Sequence, residues 1–266
     1  MGGDARPIGV FDSGVGGLSI LREITVVLPD ESILYVADQQ WSPYGRLGIE
    51  AVRERAFEVT AGLIAAGAKV VVVACNSASA AALYPLRERY PDTPFVGLEP
   101  AVKPAALQSR TGVVGVLATS ATFQGELFAT VVDRHANHVT VIPQVGAGLA
   151  GLVENDGSGT AEARELLAAH LEPMRDAGMD TLVLGCTHYP FLIADIRAVV
   201  GDQVDIIDPS PAVARQVRRL LTDAGTTAPP DHLRRIRYTT TGDPERFAYM
   251  IERLLGETAQ PEPSRW

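Results

Sequence analysis

Short runs of apolar residues recur along the chain, separated by longer stretches in which apolar positions return every three or four residues. Nine of the runs predict strands: Ile8–Phe11, Ile33–Val36, Val70–Ala74, Phe95–Leu98, Val113–Leu117, Val139–Ile142, Thr181–Leu184, Val204–Ile207 and Ile236–Thr239. Most are continuous rather than alternating, the pattern of strands covered on both faces in a parallel sheet. Between them, Leu167, His170, Leu171 and Met174 fall on one helical face, as do Val213, Val217, Leu220 and Leu221. Strand and helix alternating in this way predicts an α/β fold of two lobes, each an open, mainly parallel sheet flanked by helices. Proline-rich crossings at Pro91–Pro100 and Asp208–Pro211 set the expected boundaries. Residues 1–97 with 210–255 form one lobe, 98–209 the other, and 256–266 a frayed tail.

Open parallel sheets carry their chemistry where the strands end. The residues at those ends include Asp12-Ser13-Gly14, Ala37-Asp38, Cys75-Asn76-Ser77, Ala118-Thr119 and Gly185-Cys186-Thr187-His188. Both cysteines of the chain are among them, each after a Val/Leu run at a strand-to-helix corner. A helix N-terminus lowers a thiol pKa from ~8.5 towards neutrality. A free cysteine is often only a space filler, but two so placed favour reactivity. The segments around them form a weak internal echo, each lobe offering one thiol at the same structural place.

Composition narrows the class. The chain has 266 residues, 46% of them hydrophobic, enough for a substantial core. The apolar stretch Ala61–Cys75 is broken by Lys69 and falls short of the ~18 residues that cross a bilayer. A net charge of −9 makes nucleic acid a poor default partner. Two cysteines are too few for a disulfide scaffold, and with no secretory pattern at the N-terminus the expected state is reduced thiols in a cytoplasm.

Other features have plainer readings. The segment Asp12–Ser19 is glycine-rich, yet it lacks the third glycine of a dinucleotide loop and no Gly-Lys-Ser/Thr follows. It is either a tight turn for close packing or a cradle for a small anion such as a carboxylate. Cys75, Cys186 and His188 make a weak metal set, with no Cys-x-x-Cys or His-Glu-x-x-His in the chain. The arginines at 215, 218, 219, 234, 235 and 237 read as a solvated surface. There are two lysines: Lys69 precedes a strand, at the end away from the expected site, which leaves Lys103 as the one arguable Schiff-base residue.

Four motifs, Phe-Asp-Ser-Gly-Val-Gly-Gly-Leu-Ser (11–19), Ser-Pro-Tyr-Gly (42–45), Ala-Cys-Asn-Ser-Ala-Ser (74–79) and Leu-Gly-Cys-Thr-His-Tyr-Pro (184–190), occur in this order. Together the set resembles the glutamate racemases, over about residues 8–255. Ser77 stands where that family commonly has threonine, keeping the hydroxyl. The resemblance implies two lobes with the site in the cleft between them. It implies racemisation of glutamate by two cysteines, with no pyridoxal phosphate, metal or other cofactor, supplying D-glutamate for peptidoglycan. Cys75 and Cys186 become the acid–base pair, assisted by Asp12 and His188, with Glu154 orienting His188. Asp12, Ser13, Tyr44, Gly45, Asn76, Ser77, Thr119, Thr187 and His188 become substrate contacts. The resemblance also implies a homodimer, no membrane and no direct nucleic acid; some relatives bind DNA gyrase.

The chemistry agrees with the motifs. Racemisation takes a proton from one face of Cα and returns one to the other, and a group on each face spares a single base from swinging around a planar intermediate. Rival readings are an aspartate racemase, in which an acidic residue tends to stand at the place of His188, and a two-lobed thiol redox or binding protein. A Cys75–Cys186 bridge requires Cα atoms within ~7 Å.

Overall fold

The computed structural model describes residues 3–264. Ten strands form two wholly parallel sheets. The strands are β1 (Ile8–Asp12), β2 (Ile33–Ala37), β3 (Val70–Val73), β4 (Phe95–Gly97), β5 (Val113–Ala118), β6 (Thr140–Val145), β7 (Thr181–Gly185), β8 (Asp205–Ile207), β9 (Ile236–Thr240) and β10 (Glu262–Pro263). Nine of them match the sequence-derived strands, most within a residue or two of the expected ends. The central strands β1, β2, β3 and β7 are buried throughout, as continuous apolar runs require when helices cover both faces. Strand β6, at a sheet edge, is largely part-exposed.

The first sheet has the order β10-β9-β2-β1-β3-β4 and the second β6-β5-β7-β8. Taken from its own first strand, each contains the order 2-1-3-4. The chain runs outward from β1 to β2, then crosses back to lay β3 on the other side of β1, and repeats this with β5, β6 and β7. Each reversal opens a crevice at the C-terminal ends of two adjacent strands. The two crevices are β1/β3 and β5/β7.

The sheets are not independent. Leu18 and Leu21 of helix Leu18–Val27, Val213, Val217 and Leu221 of helix Ser210–Asp223, and Leu149, Val153 and Tyr189 beside the second sheet belong to one continuous apolar cluster. At the N-terminal end of β3, Lys69 Nζ meets Glu31 Oε2 at 2.6 Å, both side chains almost wholly buried. The same ammonium donates to the carbonyls of Asp4 (2.6 Å) and Thr226 (2.8 Å), and Ala228 N–H donates to Glu31 Oε1 at 2.8 Å.

The tail departs from expectation. Glu262–Pro263 pairs with Thr239 and Thr240 as a sixth strand, and Arg237 reaches Glu262 at 3.0 Å. An outermost strand tolerates proline because one side of its backbone needs no partner, so a proline-bearing composition conceals a strand that tertiary pairing supplies.

Removing one member of the buried pair leaves the other charged and unpaired, which costs about 3–5 kcal/mol. Lys69→Met is expected to lose stability of that order in urea unfolding, and Lys69→Met/Glu31→Leu to regain most of it. A double variant no more stable than the single one contradicts this.

Candidate active site

The two crevices line one small, tightly closed cavity. Ser13 comes from the end of β1, Cys75, Asn76 and Ser77 from the end of β3, Thr119 from β5, and Cys186, Thr187 and His188 from β7. Pro43, Tyr44 and Gly45 close one side and Ala150 another. Of the sequence-derived candidates, Asp12 and Glu154 do not line this space, and Asp12 was the one expected to touch substrate. Asp12 is fully buried behind the wall, where its carboxylate accepts from Gly14 N–H at 2.7 Å and from Thr187 Oγ1 at 3.0 Å. Pro43 and Ala150 were not read from the sequence as lining residues; apolar side chains carry no chemical signal.

The cysteines occupy equivalent places but unlike surroundings. Cys75 is the N-cap of helix Asn76–Arg89, and its sulfur lies 3.8 Å from Ser13 Oγ. Burial pushes this thiol up, and the Asp12 carboxylate pushes it further, against the helix amide of Ala78 and the Ser13 hydroxyl, which favour the thiolate. The expected lowering by the helix start is therefore overturned at Cys75, because desolvation of the sulfur outweighs the helix dipole. Cys186 leads into a turn and the 3-10 segment Tyr189–Leu192 rather than an α-helix. Its charged neighbour is His188, whose Nδ1 lies 3.5 Å from the Cys186 sulfur.

His188 Nε2 is 2.7 Å from Glu154 Oε1. Burial alone would lower the imidazole pKa, but Cys186 and Glu154, on its two ring nitrogens, hold it well above its ordinary value. With an acceptor at each nitrogen, the ring is placed as an imidazolium donating both ways. Burial raises the Glu154 carboxyl, yet His188 and the Val15 amide bring it below the usual range. One thiol thus sits in a setting that favours protonation, the other beside a cation.

The glycine loop explains how these groups come so close. A Cβ on Gly14 would stand 1.9 Å from Glu154 Oε1, and one on Gly16 2.6 Å from both His188 Nδ1 and Thr187 Oγ1. Val15 N–H donates to Glu154 Oε1 at 2.9 Å. The loop is a site of close packing, as one of its two sequence readings expects, and the carboxylate that its Val15 amide receives is the chain's own Glu154 rather than a bound small anion. Ser19 Oγ completes the seam at 3.0 Å from the Thr187 carbonyl.

Tyr44 is placed by a group that sequence reasoning noticed only as a residue after a strand. Its hydroxyl donates to Asp38 Oδ2 at 2.5 Å, and Arg55 grips the same carboxylate at 2.8 and 3.0 Å. The hydroxyl is committed to Asp38, and the segment 43–45 is held in place by it. Ser77 Oγ and Thr119 Oγ1 meet at 2.9 Å across the crevices. Asn76 is 3% exposed, and neither its amide nitrogen nor its carbonyl oxygen has a hydrogen-bond partner. Such a group costs stability unless something pairs with it.

Neither lysine lines the cavity: Lys69 is held by Glu31, and Lys103 lines a separate cleft with Glu99 and Arg215. Among the described residues no three His, Cys, Asp or Glu side chains gather as a metal-holding group.

The sequence model of the Asp/Glu/hydantoin racemase family matches residues 14–217. The chain belongs to that family. It is 51% identical to a glutamate racemase of Roseiflexus sp. (strain RS-1) over 251 residues, 94% of this chain and 92% of the relative. The crystal structure of glutamate racemase isoform RacE1 from Bacillus anthracis is similar with a TM-score of 0.90 and 34% identity, covering 97% of both chains. Glutamate racemase from Francisella tularensis, solved in complex with D-glutamate, is similar with a TM-score of 0.87 and 28% identity over 98% of both.

The His188–Glu154 pair carries a pH signature. A raised imidazole contributes its full stability below about pH 6.5, its ordinary value, and loses it as pH rises through the folded-state value. The lowered Glu154 carboxyl contributes above about pH 4.5 and loses this as pH falls through its folded-state value. The stability advantage of the wild type over His188→Asn is therefore expected to peak between those values. Above them it shrinks by up to ~1.4 kcal/mol per pH unit. Urea unfolding across pH measures it; an advantage that grows on the alkaline side contradicts the assignment.

Proposed function

We propose that this chain interconverts L- and D-glutamate by proton transfer at Cα, with Cys186 and Cys75 as the two bases. The observation that carries the reading is the pair of thiols, one from each sheet, converging on one small cavity with unlike electrostatic settings. The family and the glutamate racemases to which the chain is similar support the same reaction.

Cys186, as thiolate beside the His188 imidazolium, takes the α-proton of L-glutamate, while Cys75, as thiol, returns a proton to the opposite face. The reverse reaction exchanges the two roles. As the α-proton leaves, charge moves onto the α-carboxylate, and the Asn76 amide, the Ser77 hydroxyl and nearby backbone amides take it up. The unpaired Asn76 amide gives the substrate a ready partner. Asp12 assists on the Cys75 side. No lysine stands in the cavity to form a Schiff base, and the thiols serve without one.

Glutamate is favoured over aspartate because a shorter side chain leaves polar groups for the γ-carboxylate unpaired, a loss that discriminates strongly. No helix among the described residues is long and apolar enough to cross a membrane. A cytoplasmic homodimer supplying D-glutamate for peptidoglycan accords with the family.

The decisive assay measures racemisation of L-glutamate and L-aspartate without added pyridoxal phosphate. Glutamate is expected to racemise with the larger kcat/KM; equal values or a preference for aspartate overturn the specificity. Cys75→Ser and Cys186→Ser are each expected to abolish turnover, because a serine hydroxyl is too weak an acid to serve near neutral pH. His188→Asn is expected to depress kcat more with L-glutamate and Asp12→Asn more with D-glutamate, with KM compensating because the equilibrium constant is one. Full activity in either cysteine variant rejects the two-thiol mechanism.

A further inference from the structure

Helix Pro244–Leu255 follows β9 of the first sheet. Its apolar face is buried: Phe247 stacks with Tyr35 of β2 at 5.9 Å and meets Tyr238 of β9 edge-on at 6.2 Å, with Met250 and Ile251 in the same core. Arg246, Tyr249 and Arg253, spaced three and four residues apart, share the other, exposed face. All three reach one short stretch of chain beside the second sheet. Arg246 donates to the Glu154 carbonyl at 3.0 Å. The Tyr249 hydroxyl donates to Asp156 Oδ2 at 2.6 Å, and Arg253 Nε reaches both oxygens of that carboxylate at 3.0 and 3.1 Å. Arg246 also lies over the Tyr249 ring, 5.1 Å from its centre, so these two side chains brace one another.

The stretch they grip begins at Glu154, the last residue of the six-residue helix Leu149–Glu154. So short a helix ends loosely on its own. Beyond it Asp156 is held at a φ of 58°, the one positive value among the described residues other than glycine. An aspartate keeps that left-handed conformation where its surroundings impose it. An exposed ion pair alone contributes little, but here three side chains converge on two residues. The hydrogen bond from Tyr249, and after it Arg253, draw the Asp156 carboxyl below its usual range.

We propose that Arg246, Tyr249 and Arg253 are positioning residues: by clasping the chain at Glu154 and Asp156, they fix the Glu154 carboxylate against His188 and Val15. The inference rests on the reading of His188 as the cation beside Cys186. His188 faces Glu154 and Cys186 directly and Asp12 across Thr187, and the clasp acts on it through Glu154. Charge and position then make opposite predictions. Arg246 is a cation, so losing its field alone raises the His188 midpoint. Losing its grip on Glu154 loosens the carboxylate that keeps His188 charged, and lowers that midpoint.

The 15N signals of His188 in histidine-labelled protein, identified by their loss in His188→Asn, follow its imidazolium across pH. Arg246→Met is expected to lower the His188 midpoint by about half a pH unit, a roughly three-fold loss of imidazolium above it. Tyr249→Phe, which changes no charge, is expected to lower it as well. Arg246→Lys, which can still donate one bond, is expected to keep it near the value of the unaltered chain. The midpoints of His135 and His138, which line a separate cleft, stay fixed. Arg246 and Tyr249 are exposed, so these variants are expected to fold. A His188 midpoint that stays put or rises in either Arg246→Met or Tyr249→Phe overturns the proposal. Racemisation of glutamate by the unaltered protein tests the functional reading separately.

Discussion

The site depends on one hydrogen-bonded chain that crosses the seam between the sheets. Glu154 takes the Val15 amide of the first lobe at 2.9 Å and His188 Nε2 of the second at 2.7 Å, and His188 faces Cys186 through its other nitrogen. Two acceptors thereby hold an imidazolium that burial alone would neutralise. The arrangement is possible only because the first-lobe loop has no side chains at Gly14 and Gly16, where any Cβ would drive Glu154, Thr187 and His188 away. A sterically bare turn on one lobe is thus what gives the other lobe its charge.

This constraint produces an asymmetry. The same strand order, used twice, delivers two cysteines to one cavity, one from each sheet, a symmetry suited to a reaction whose substrate and product are mirror images. The reaction nevertheless needs one base and one acid at any moment. Burial and the Asp12 carboxylate keep Cys75 protonated, while Cys186 lies against a cation. The two neighbours that set this difference, Asp12 and His188, are themselves linked through Thr187, which donates to Asp12 at 3.0 Å and precedes His188 in the chain.

Much of this was legible in the sequence, and the reasons for the exceptions are physical. Continuous Val, Ile and Leu runs revealed the strands, and the strand-end rule led to Cys75, Asn76, Thr119, Cys186 and His188. The distinct fates of the two thiols were not legible, because a corner's position does not reveal whether an α-helix or a 3-10 turn comes next, or how deeply the sulfur is desolvated. The anion received by the glycine loop turned out to be Glu154, a partner far away in sequence. Asp38 and Arg55 escaped notice as the anchor of Tyr44 because a charge pair separated along the chain has no local pattern. The edge strand at Glu262–Pro263 has poor strand propensity and exists through its pairing with β9.

The central claim is that two distinct thiols act on opposite faces of Cα. Initial turnover of L-glutamate in D₂O tests it most directly, with deuterium at Cα measured separately in product and in recovered substrate. Two distinct bases place solvent deuterium in the D-glutamate formed and leave recovered L-glutamate with its original hydrogen. Deuterium appearing in recovered L-glutamate at a rate comparable to product formation would show one exchanging base serving both faces, and would contradict the account.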